Sequence, residues 1–497
     1  MLYRMCITIY YWHVFSLSCL KHISFSPTFQ QVLVSLIIRS MPQMSGHEMS
    51  NLLYGLGKMG VHYSYLWPVM PGEVSDNLLR TVPYMQEPEF AITIWGLLGQ
   101  MGCSYSILPP NIQVLVASEV IKRRDALTAQ SLTAVYQGIS KTGNTPWSSL
   151  PELLRGSLLY TLDKLLSSPK GDSQAPKGVG DGYITSTDST AATIERLKLV
   201  GNVVYSLGRM HAQWIDLPSH LQANILTTLS TPLPPLSPYP SPISTSLNTP
   251  TTATTATAST AILHAVQFEP ILNSINGLAR LSFTWSALND SVKTVLLRSI
   301  PTLLYHTTTL PPSSPPTQSQ SATQPPLQST SYTTTSTSII AYKAYANKLA
   351  NMVWSLGQLN LLYTDLQKST PHSSSNSSGS TNSTNSNSMS AKSNDIYALF
   401  IECIERLLPY MTVYEYAWSL WSLARMNILY SDLPLTTQNI IITCTTQYIT
   451  YTNTEELGII VYAFGRMRAP LNDFPGSVTS AILVGIEKAA SARLDQK

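Results

Sequence analysis

Apolar and polar positions follow one another along this chain with the spacing of amphipathic helices, and one short helical phrase keeps returning. Its clearest copy is NVVYSLGRMHAQWIDLP, Asn202 to Pro218. Within it, Leu207, Gly208, Arg209 and Met210 form a core of an aliphatic residue, a small residue, a cation or amide, and an apolar closer. The core recurs as Leu56-Gly57-Lys58-Met59, Leu98-Gly99-Gln100-Met101, Ile139-Ser140-Lys141-Thr142, Leu278-Ala279-Arg280-Leu281, Leu356-Gly357-Gln358-Leu359, Leu423-Ala424-Arg425-Met426 and Phe464-Gly465-Arg466-Met467. Only Thr142 breaks the closing column.

The cation column advances by 42, 41, 68, 71, 78, 67 and 41 residues, which sets a unit of about 41. Each unit reads as two helices. Helix B carries the core and stops at a left-handed cap, for which Gly60, Gly102, Gly143, Asn360 and Asn427 are placed. An aromatic residue follows (Tyr105, Trp147, Trp214, Trp285, Tyr363, Tyr430), and then a proline (Pro68, Pro109, Pro151, Pro218, Pro434, Pro475) suited to the first turn of helix A. The expected fold is all-α: a right-handed α-solenoid of about eight to nine helix pairs.

The long steps contain Ser/Thr/Pro-rich or Ser/Asn-rich stretches with too few apolar residues to pack, expected to be disordered insertions at 167–190, 230–260, 307–338 and 368–394. Repeats then occupy 26–166, 191–229, 261–306, 339–367 and 395–497. Residues 1–25 are open to two readings. Phe15 to Leu20 aligns with Tyr205 to Met210 as a worn first repeat, while the apolar run without an early acid also suits a presequence. A membrane span is not expected, because the run is short for one. Ser26-Pro27 opens a further helix from Thr28 to about Ser40.

At 100° per residue, the positions four and seven before the cation lie within about 40° of it, off the core face. Their occupants make a stripe of amide, aromatic and cation: Asn51, Tyr54, Lys58; Asn202, Tyr205, Arg209; Asn351, Trp354, Gln358; Trp418, Trp421, Arg425; Ile459, Tyr462, Arg466. Other repeats are more polar (Asn273, Asn276, Arg280) or shifted, with Trp95 and Tyr136 one residue early relative to Gln100 and Lys141. Such a stripe offers a base-edge partner, a stacking surface and a phosphate contact at regular steps, which suits single-stranded RNA. A purely structural role competes with this. A cation in a last helical turn is favoured by the helix dipole, aromatics can be packed, and the Asn column can cap or bridge neighbouring helices.

Composition narrows the classes. The chain is 44% hydrophobic but only 11% charged, and a net charge of +3 over 497 residues means that any basic face comes from arrangement. Six of the eight cation positions are Lys or Arg and none is acidic. Cys6, Cys19, Cys103, Cys403 and Cys444 are scattered without a CxxC pair, so neither a disulfide framework nor a zinc site is expected. No HExxH, GxSxG or P-loop appears, so no enzyme, cofactor or metal is expected. Asp216, Asp365, Asp432 and Asp473 recur after the core, where N-terminal capping explains them. Lys122-Arg123-Arg124, the densest basic cluster, reads as a solvated helix end.

The phrases NLLYGLGKMG at Asn51, NVVYSLGRM at Asn202, NMVWSLGQLN at Asn351 and SLWSLARMN at Ser419 resemble the helix core of octotricopeptide repeats, of the flavour ANLLWALAKLG. Related arrays occur in the RNA-editing substrate-binding complex and in FAST-kinase-like proteins with RAP modules. The resemblance covers nearly all of the chain outside the insertions. It implies an α-solenoid that binds organellar RNA and governs processing, stability or translation of transcripts in mitochondria or chloroplasts. The alternative is an armadillo- or HEAT-like scaffold that grips proteins.

Overall fold

The computed structural model describes residues 41–65, 70–167, 187–231, 269–297, 332–368, 396–449 and 451–470, together with isolated positions between 28 and 39 and between 474 and 484. Every regular element among them is helical. In chain order the helices are α1 (Gly46–Lys58), α2 (Ser75–Thr81), α3 (Glu87–Ile94), α4 (Pro110–Arg123), α5 (Ala129–Ser140), α6 (Glu152–Ser167), α7 (Thr187–Arg209) and α8 (Ser219–Leu229). Two helices at 269–280 and 290–297 are α9 and α10. They are followed by α11 (Tyr332–Gln358), α12 (Tyr363–Lys368), α13 (Ile396–Leu407), α14 (Val413–Arg425), α15 (Leu435–Tyr448) and α16 (Thr454–Met467).

Residues 1–25 and most of the four insertions lie outside the described residues, as does most of the stretch from 28 to 40. Helix α7 reaches back to Thr187 and α11 to Tyr332, into the last residues of two of those insertions.

B helices begin at reciprocal caps. Ser45 with Glu48, Thr412 with Glu415, and Asn453 with Glu456 form capping boxes at α1, α14 and α16, and the Thr128 side chain accepts from Ser131 N at α5. They end at a left-handed residue two positions after the cation. This holds in all eight repeats: Gly60, Gly102, Gly143, His211, Ser282, Asn360, Asn427 and Arg468 all have φ between +57° and +75°.

The turn that follows joins one repeat to the next through the backbone. The N–H of Tyr63 donates to the Met101 carbonyl (2.9 Å), Trp147 to Met210 (2.7 Å), Trp214 to Leu281 (3.3 Å), Trp285 to Leu359 (2.6 Å) and Tyr363 to Met426 (2.9 Å). Helix A then starts one residue later than the sequence suggests. Pro109, Pro218 and Pro434 are N-caps in extended conformation, and their carbonyls accept from Gln113, Gln222 and Gln438 N at 3.0 Å each. The amides of those glutamines turn back onto the carbonyls of Leu108, Leu217 and Leu433, at 2.8 Å in each case.

The chain divides into two compact units, residues 1–247 with 269–282, and 248–268 with 283–497. In the first, each B helix packs on the next, α1 on α3, α3 on α5 and α5 on α7, while the A helices α2, α4, α6 and α8 pack in the same order. In the second, α11 packs on α14 and α14 on α16, with α13 against α15. The aliphatic column forms the core: Leu56, Leu98, Ile139, Leu207, Leu278, Leu356, Leu423 and Phe464 are all buried.

The small-residue column has a packing reason. A Cβ added to Gly208 would stand 2.5 Å from the Cβ of Arg280, and one added to Gly357 would stand 2.8 Å from the Cα of Ser422. Successive B helices therefore meet at backbone distance.

Candidate nucleic-acid interface

The B-helix geometry places the cation column outside the core. Lys58, Lys141, Arg280 and Arg466 are exposed, and Gln100, Arg209, Gln358 and Arg425 are half-buried. Lys58, Lys141, Arg209, Arg425 and Arg466 form no ion pair among the described residues.

The aromatic column runs alongside. Tyr54, Tyr205, Trp354 and Trp421 are half-buried and Tyr462 is exposed. Cations lie over these rings within a repeat, with Lys58 5.3 Å from the Tyr54 centroid, Arg209 5.9 Å from Tyr205 and Arg425 4.9 Å from Trp421. They also do so between repeats: Lys141 is 5.9 Å from Trp95 and Arg280 5.7 Å from Tyr205. Distances of this size allow cation–π attraction, of about 0.5–1 kcal/mol at exposed sites. The stripe is thus one surface across α5 and α3, and across α9 and α7.

The two early aromatics behave differently. Trp95 remains half-exposed because Trp95–Gln100 is a π-helical turn, which takes up the extra residue. Tyr136 has no such turn. It is fully buried, stacked on Trp147 at 6.5 Å and 14°, and burial pushes its hydroxyl above the usual phenol range.

Several stripe residues hold the protein together. Arg466 Nε donates to the Ala424 carbonyl (2.9 Å), its Nη2 to Asn427 Oδ1 (3.2 Å) and its Nη1 to Tyr462 Oη (3.2 Å). Arg425 donates to Asn360 Oδ1, and Arg209 to the Lys141 carbonyl. In each case an arginine reaches the C-terminal end of the preceding B helix, where carbonyls lack intrahelical partners and the dipole favours a cation.

The amide column also bridges. Asn273 Nδ2 donates to Asn202 Oδ1 (3.0 Å) between α9 and α7. The buried Asn276 accepts from Arg280 Nε (2.8 Å), and Asn351 donates to Asn347 Oδ1 (3.1 Å). Asn51 lies 3.0 Å from His47 Nε2, and His47 in turn lies 3.2 Å from Glu89. Lys58 and Lys141 are the column cations whose side-chain amines have ring contacts and no hydrogen bond to other described residues.

Other sequence candidates fall away from this surface. In the basic cluster Lys122 and Arg124 are exposed as expected of a solvated helix end, while Arg123 is half-buried and acts as a staple, with Nη1 and Nη2 on the Met85 and Val82 carbonyls (3.0 and 2.9 Å) and on Glu119 (2.7 Å). Asp216 and Asp365 accept from the Gln213 and Leu362 amides at 2.8 and 3.2 Å, so they cap the short turn and not helix A itself. Asp473 lies outside the described residues.

No group of three or more His, Cys, Asp or Glu converges as a metal site among the described residues. Nor is any helix of the described residues long and apolar enough to cross a membrane. Cys103, Cys403 and Cys444 are buried thiols outside any disulfide, and burial pushes Cys103 and Cys444 up to about 12.

The sequence gives no sign of one further member. Tyr414 is 59% exposed and extends the α14 stripe by another turn, with its ring 6.1 Å from Trp418. Only the helix register, one turn before Trp418, could have marked it.

No family model matches this chain, and no curated protein matches it.

Proposed function

We propose that the chain is a right-handed α-solenoid, related to octotricopeptide repeats, that binds single-stranded RNA in mitochondria or chloroplasts and acts in processing, stabilisation or translation of organelle transcripts. The observation that carries this reading is the series of Lys and Arg side chains that follow the B helices, lie over aromatic rings and have no carboxylate partners among the described residues. A column of one sign beside half-exposed rings suits a polyanion with stackable bases. The arginines that brace a preceding helix keep further N–H groups, since a guanidinium has five donors and Arg209 and Arg425 each commit one terminal nitrogen.

A protein-binding scaffold is the second reading. It draws on exposed aliphatic side chains where A helices begin, Leu153, Ile215 and Leu435, between 71% and 86% exposed.

The deciding experiment is crosslinking in the native cells, followed by organelle fractionation and sequencing of attached RNA. Peaks on one or a few organellar transcripts are expected. No RNA above background, with a stable protein partner in the same eluate, would replace the first reading with the second.

A further inference from the structure

We propose that the outer face of α14 is a stacking platform that takes unpaired bases, and that it makes this chain's affinity depend on the bases themselves and not only on the phosphate backbone. This rests on the RNA reading above and sharpens it.

Tyr414, Trp418, Trp421 and Arg425 lie four, three and four residues apart, so they form one continuous face along three turns of the helix. The rings touch in sequence. Tyr414 and Trp418 are 6.1 Å apart with 58° between planes, Trp418 and Trp421 are 5.3 Å apart at 72°, and Arg425 caps the row 4.9 Å from the Trp421 ring. Among the described stretches of B helix this is the densest aromatic run.

Packing does not account for it. The core side of α14 is already made by Tyr416, Leu420 and Leu423, which are fully buried. Tyr414 has more than half of its surface exposed, and Trp418 and Trp421 are half-buried. The Trp418 indole N–H is buried and finds no acceptor among the described residues, so none of them anchors that ring by a hydrogen bond. Leaving such a donor unmade costs about 1–3 kcal/mol. A shift of the ring against an incoming base would give the donor access to a carbonyl or phosphate oxygen.

Charge points to the same occupant. Arg425 on α14 and Arg466 on the adjacent α16 lie at the C-terminal end of the row and form no ion pair among the described residues, so their charge is not cancelled by a carboxylate contact, and the acids of these helices, Glu415, Glu455 and Glu456, stand in the first turns at the opposite end. Tilted rings with an open face accept a splayed single strand. The stacked bases of a duplex cannot present their faces to them.

The test uses the full chain, a short unpaired RNA, and an abasic strand of the same length and charge. Binding is followed by anisotropy at low salt for the wild type, for Tyr414→Ala with Trp421→Ala, and for Tyr414→Phe with Trp421→Phe. The wild type is expected to prefer the base-bearing strand by roughly tenfold to a hundredfold. The alanine pair should lose that preference with little change in binding to the abasic strand, and the phenylalanine pair should restore most of it. If the alanine pair melts, Tyr414→Ala alone decides, because that ring is largely exposed and its loss removes the platform's outer member.

An equal affinity of the wild type for both strands overturns the platform while leaving the RNA reading in place. So does a preference that survives the alanine substitutions in a folded protein. Failure of the wild type to bind either strand removes the RNA reading and the platform with it.

Discussion

At the scale of single residues, the sharpest constraint is the left-handed position that ends every B helix. Five of the eight occupants are Gly or Asn and could be recognised from sequence, because those residues tolerate positive φ. His211, at +57°, is of a type only moderately enriched at positive φ, and Ser282 and Arg468, at +59° and +57°, could be located only from the register of the repeat. Gly60 isolates the backbone effect. It has φ of +75°, and a Cβ added there would meet nothing within 4 Å. Gly60→Ala should therefore destabilise the protein by about 1 kcal/mol without any steric collision, while Arg468→Gly should stabilise it by about 0.5–1 kcal/mol. Shifts of the denaturant midpoint in opposite directions would bear this out, and a neutral Gly60→Ala would refute it. The buried thiols give a second residue-scale prediction. Burial raises Cys103 and Cys444 to about 12, above the ordinary thiol value of 9.0, so the native state keeps protons that the unfolded chain releases. Their contribution to stability is intact below pH 9.0 and is lost as pH climbs from there towards 12. Alkylation at mildly alkaline pH, read by mass spectrometry, should spare Cys103, Cys403 and Cys444 until denaturant is added; rapid native labelling of these sites would contradict their burial.

At the scale of elements, the helices were legible because two periodicities coincide, the 3.6-residue spacing within a helix and the unit of about 41 residues between helices. The duties of the cation column were less legible. Sequence places Arg466 on the outer side of α16, but only the close approach of α14 brings it to the Ala424 carbonyl. Where the residue before the cation is Gly57, Gly208 or Gly357, that closeness depends on its small size, because an added Cβ would run into the next B helix. Gly208→Val should push α9 away from α7, because even a Cβ there would stand 2.5 Å from the Arg280 Cβ, and overpacking of this kind costs about 1–3 kcal/mol. The one-residue shift at Trp95 and Tyr136 was visible too. Sequence could not say which helix would absorb it in a π turn and which would turn its ring into the core. The two kinds of cation can be separated by experiment. Lys58→Gln with Lys141→Gln should weaken RNA binding and lower the melting temperature only slightly, since neither amine has a hydrogen bond to other described residues and each gives up one ring contact at an exposed site. Arg466→Gln should weaken binding less than the lysine pair but cost about 1 kcal/mol of stability, because a three-bond brace on the preceding helix is lost. Equal melting of all three proteins would remove the bracing role.

At the scale of the whole molecule, charge is what makes the RNA reading quantitative. The chain carries 30 Lys and Arg against 27 Asp and Glu, so it has no general positive field to hold a polyanion. Any phosphate contact must come from cations set in order, and the column supplies six, Lys58, Lys141, Arg209, Arg280, Arg425 and Arg466. For a single strand each neutralised phosphate contributes about −0.7 to the slope of log K against log salt, so the column sets a limit of about −4. The measured slope should fall short of that limit, because Arg466 has all three guanidinium nitrogens engaged within the protein. Replacing Lys58 and Lys141 with glutamine should then reduce its magnitude by about 1.4, while loss of the α14 rings should lower affinity without altering the slope, as stacking releases no counterions. A slope much steeper than −4 would mean that RNA is held by basic residues outside the column. Tight binding with almost no salt dependence would mean that phosphates are not contacted by these cations at all, and in either case the stripe would cease to be the interface.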